Sequence, residues 1–91
     1  MTITGTVEIR IVKAGTRSEN RYLELHPPNM ETILIFDELG MNNIRTDTIG
    51  MEVEDVIGKL VTITGFYEIG YIGWEHEKAR GIYVEEIKLV Q

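Results

Sequence analysis

Cysteine is absent from the 91 residues. That excludes a disulfide framework, a thiolate zinc site and a thiol nucleophile. Serine is almost absent: Ser18 is the only one, and nothing in the sequence sets a base beside it. No catalytic residue is therefore expected. Histidine occurs twice, with His26 before Pro27 and His76 between Glu75 and Glu77. No two-histidine spacing appears, so neither a metal site nor any other cofactor is expected. No stretch approaches the roughly 20 apolar residues of a transmembrane helix. Met1-Thr2-Ile3-Thr4-Gly5 has no positive start and no long apolar run. The expectation is a cytoplasmic protein with no membrane partner.

What the chain does contain is ordinary for a folded domain: 43% hydrophobic and 26% charged residues, too apolar for disorder. At this length a single domain over 1–91 is expected, burying about 60–65% of its unfolded surface. The net charge of −6 is unevenly spread. Residues 1–26 carry four basic and three acidic side chains, 27–58 one and seven, and 59–91 four and five. The excess acid lies in the middle third. Surface fields decay within about 8–10 Å, so an overall acidic balance does not rule out a polyanionic ligand elsewhere.

Alternation organises the rest. Ile3, Gly5, Val7, Ile9 and Ile11 fall on one face of a first strand, with Thr2, Thr4, Thr6, Glu8 and Arg10 on the other. Residues 14–20 read as a turn. Arg21 to His26 is a second strand, stopped by Pro27-Pro28. Thr32 to Phe36 is a third, short one, and residues 37–50 lose the alternation. Glu52 to Ile57 reads as a short helix, with acids at its positive end and Gly58 placed to cap it. Lys59 to Ile69 is a long strand, with Val61, Ile63, Gly65, Tyr67 and Ile69 in one phase. The last strand starts near Gly81. Its apolar phase slips between Ile82/Val84 and Ile87/Leu89, so Glu85-Glu86 predicts a β-bulge. Val7, Ile9, Leu23, Val61, Ile63 and Ile82 are expected to face inward.

Several stretches resemble the OB-fold family: Gly5-Thr6-Val7-Glu8-Ile9, Tyr22 to Leu25 followed by Thr32 to Phe36, Ile57 to Gly65, and Gly81 to Ile87. The likeness is broad, to the nucleic-acid-binding members. It implies an all-β, five-stranded Greek-key barrel with a short helix between strands 3 and 4. It also implies a binding surface on the sheet, between the loop joining strands 1 and 2 and the loop joining strands 4 and 5. Those loops are distinctive here. The first gathers Arg10, Lys13, Arg17 and Arg21; the second holds Tyr71, Trp74, Lys78 and Arg80. Tyr22 and Phe36 are candidates to present rings from the sheet between them. Rings stack on bases and cations follow phosphates. A tryptophan in a glycine-rich hairpin serves equally as a plug over a barrel end. Two functions compete. One is a non-enzymatic module for single-stranded DNA or RNA. The other is an acidic protein-interaction domain in a larger, genome-maintenance type of complex.

Overall fold

The computed structural model describes residues 1–17, 19–37, 39–42, 52–72 and 77–90. Five strands, β1 (Thr2–Val12), β2 (Asn20–His26), β3 (Ile33–Phe36), β4 (Leu60–Ile72) and β5 (Glu77–Leu89), form one closed sheet in the order β1-β2-β3-β5-β4. All neighbouring pairs are antiparallel except β3 and β5, which are parallel. One helical turn, α1 (Val53–Val56), precedes β4 and buries Val53 and Val56. No helix among the described residues is long and apolar enough to cross a membrane.

β1 is shared between two partners, and this closes the sheet. Its first half pairs with β4, Ile3 opposite Ile63 and Thr6 opposite Leu60. Its second half pairs with β2, Thr6 opposite His26 and Val12 opposite Asn20. Outside this seam the threonines pair directly, Thr2 with Thr64 and Thr4 with Thr62, their hydroxyls 3.2 and 2.9 Å apart.

The interior is the alternating set the sequence predicts. Val7, Leu23, Val61, Ile63 and Ile82 are fully buried, and Ile9 is half-buried against the same cluster. The ladder from β4 to β5 slips once. Thr64 faces Glu86 and Gly65 faces Val84, leaving Glu85 as the extra residue where the adjacent acids predicted a bulge.

The structure departs from the sequence reading at the far end of this hairpin. β4 runs on to Ile72 and β5 begins at Glu77, ahead of the predicted start at Gly81. Tyr67 and Ile69 keep the phase of the core yet are 46% and 41% exposed. The reason is length. β1 covers β4 only as far as Thr64, so beyond that point the phase that meant inside leads out to solvent. Phe36 departs in the opposite sense: it presents no ring to solvent and is fully buried.

Candidate functional site

Strand register divides the sequence-predicted basic and aromatic residues between different surfaces. On the outer face of β1 and β2, Arg10 stands opposite Tyr22 and Glu8 opposite Glu24. Two carboxylates directly opposite one another repel. Here Glu24 is flanked by two nitrogen-bearing side chains. Arg10 Nε lies 3.1 Å from its Oε2 and His26 Nε2 lies 3.4 Å from its Oε1. The Arg10 guanidinium also sits 5.3 Å from the centre of the Tyr22 ring. Arg10 thus serves Glu24 and covers a face of Tyr22, the surface that a stacked base would need. The acid beneath it is only 5% exposed. This part of the sheet is a satisfied ion-pair cluster with acidic residues at its centre.

The loop after β1 is built by its own backbone. The Lys13 carbonyl accepts from the Thr16 amide and hydroxyl, at 3.2 and 2.7 Å. This turn holds Lys13 in the left-handed region, at φ 56. Most residues other than glycine and asparagine avoid that conformation. Glu19 ties the loop together by accepting from the Gly15 amide, and it lies 3.6 Å from Arg21 Nε. Arg21 is register-paired with Ile11, so it leaves the sheet on the face opposite Arg10 and Tyr22. Arg17 is exposed at the loop itself.

The β4–β5 hairpin brings the remaining residues together. Beyond Gly65 the register is regular: Tyr67 faces Ile82, Ile69 faces Arg80 and Tyr71 faces Lys78. Alternation puts these side chains on one face of the ribbon. Tyr67, Ile69, Tyr71, Lys78 and Arg80 are all exposed, and no acid shares their face among the described residues.

The opposite face of the hairpin packs down on β3. Phe36 lies against Gly70 and Gly81, where an added methyl group would stand 2.7 Å from its Cδ2 and 2.6 Å from its Cε2. Glycine at these two positions is what lets the ribbon close over the ring. Tyr83 flanks Phe36 at 5.6 Å and stacks on Phe66 at 4.9 Å. The loop after β3 clasps the end of the hairpin. The Tyr71 amide donates to the Gly40 carbonyl at 2.8 Å and the Asn42 amide to the Tyr71 carbonyl at 3.1 Å. Asn42 continues to the sheet through its side chain. It accepts from the Leu23 amide and donates to the Leu23 and Ile35 carbonyls.

Tyr71, Lys78 and Arg80 therefore share one surface, Arg10 and Tyr22 another, and Arg21 a third. Trp74, with His76, lies outside the described residues. Sequence reasoning did not name Tyr67 and Ile69 as site residues, having grouped them in the alternation phase of Val61 and Ile63. The signal was present: folding the segment as a hairpin about its glycine- and charge-rich centre sets each of Ile69 and Tyr71 beside a cation. Compared with known protein families, curated proteins and solved structures, the chain matches none.

Proposed function

We propose that this chain is an OB-type barrel that binds single-stranded DNA or RNA without strong sequence preference and carries out no catalysis. The strand order, the parallel β3–β5 pair and the helical turn before β4 support the OB-type reading. The observation that carries the binding reading is the hairpin face, where the row Tyr67, Ile69 and Tyr71 lies alongside Arg80 and Lys78. Two rings in one row with two cations in the row beside them suit a ligand that offers both stackable bases and phosphates. The site is thereby moved from the β1–β2 sheet surface, where Arg10 is engaged with Glu24, to the hairpin.

An NMR titration with a short mixed-sequence single strand at low salt tests this. Amides of residues 67–71 and 78–80 should shift most, and those of Tyr22 and Glu24 least. A protein partner is the second reading. It is favoured by the acidic excess in residues 27–58 and by the exposed Glu54 and Asp55 on α1, which suit a basic surface. Absence of binding to any single strand at low salt would select it.

A further inference from the structure

The hairpin face is useful only if the ribbon is held at a fixed angle to the barrel, and one side chain is placed to do this. We infer that Tyr83 is the positioning residue of this surface, locking the β4–β5 ribbon to the barrel and helping to close its outer edge to strand addition. For the ligand class this inference rests on the nucleic-acid reading above.

Tyr83 is register-paired with Phe66 on one side and Phe36 on the other, so its ring joins three strands. Its hydroxyl then reaches along β4 and donates to the Ile69 carbonyl at 2.6 Å. That carbonyl belongs to the residue at the middle of the exposed face. The Ile69 amide is taken as well, by the Glu68 carboxylate at 2.9 Å. Along the same strand Gly65 exchanges backbone bonds with Met1, and Tyr71 with Gly40 and Asn42. At 65, 69 and 71 the backbone is therefore already occupied. An edge with its donors and acceptors taken does not template another strand. At these three positions β4 is left to meet a partner through side chains, as a base-and-phosphate ligand requires and an added peptide strand does not.

The test is Tyr83→Phe, which keeps the ring between Phe36 and Phe66 and deletes only the hydroxyl. Expected results are a melting temperature within a few degrees of wild type and amide exchange at least severalfold faster at residues 68–72 and 77–81, with the core strands unchanged. Binding of an oligothymidylate, followed by fluorescence anisotropy at low salt, should weaken about threefold to tenfold, the usual reach of one hydrogen bond. Lys78→Gln/Arg80→Gln is the contrasting variant. It should weaken binding without altering exchange. If Tyr83→Phe leaves hairpin exchange at the wild-type rate, the positioning role is refuted. If wild type binds no single strand, the nucleic-acid reading fails, while the exchange comparison still decides the role of Tyr83.

Discussion

Two carboxylates, Glu24 and Asp37, are buried among the described residues, and they are satisfied by different means. Asp37 is served by backbone amides: its Oδ1 accepts from the Leu39 amide at 2.9 Å and the Met41 amide at 3.0 Å. Asp37→Ala would strand neither donor in a dry interior, but it dissolves the turn that brings Gly40 and Asn42 to Tyr71. A cost of about 1–3 kcal/mol is expected in urea unfolding, the range for a lost charge-assisted acceptor. Glu24 depends on side chains that also have other uses. Glu24→Gln should lower stability by a similar amount, about 1–3 kcal/mol, because Arg10 loses its charged partner. It should also raise affinity for a single strand at low salt, since a negative charge leaves the sheet and Arg10 is released. A binding isotherm and a melting curve on this one variant should move in opposite directions. Weaker binding would show that the Arg10–Glu24 pair is itself part of the contact. In the core, Ile63 is fully buried opposite Ile3 and Ile87. Ile63→Ala should cost about 2–5 kcal/mol in the same unfolding assay.

The element that decides the shape is the β4–β5 hairpin, in which two strands of 13 residues each do two tasks in succession. β4 is held in the closed sheet by β1 as far as Thr64, and β5 is held by β3 from Tyr83 to Gly81; past these ladders the two strands form a ribbon whose glycines close over Phe36. The change coincides with the bulge at Glu85, as expected of an extra residue that bends its strand and increases local twist. Gly65 stands at the tightest point, where a methyl group would collide with the Tyr83 carbonyl oxygen. Gly65→Ala should therefore cost about 3 kcal/mol, the upper end for overpacking, because the obstacle is backbone and cannot swing away. A melting temperature equal to wild type would show that the two strands can part at the bulge at little cost.

For the molecule as a whole, an overall charge of −6 coexists with a ribbon face that carries Lys78 and Arg80 and, among the described residues, no carboxylate. If Lys13, Arg17, Lys78 and Arg80 all meet phosphates, counterion release from a single strand gives a log–log salt slope near about −3. Affinity then falls about fiftyfold between about 50 and 200 mM salt. Lys78→Gln/Arg80→Gln should make the slope shallower by about 1.4. A slope near zero in wild type would instead point to a contact made without phosphates. That result would favour the protein-partner reading.

Local periodicity determined a good deal here. The buried phase of β1, the central residues of the core and the bulge at Glu85 follow from side-chain alternation, which is a property of the pleated backbone itself. Alternation identifies which residues share a face, but not how far the neighbouring strand covers that face. Tyr67 and Ile69 carry the same pattern as Val61 and Ile63, and only the end of the β1–β4 ladder at Thr64 separates exposed from buried. Phe36 was likewise undecidable locally, because the glycines that cover it come from β4 and β5. The fates of the cations were set in the same way. Arg10 is tied to Glu24 across a strand pair, and hairpin register sets Lys78 opposite Tyr71 and Arg80 opposite Ile69. A residue's own sequence neighbourhood specifies its direction from the chain. Only the closed sheet, by choosing which distant strand lies alongside, specifies what it meets there.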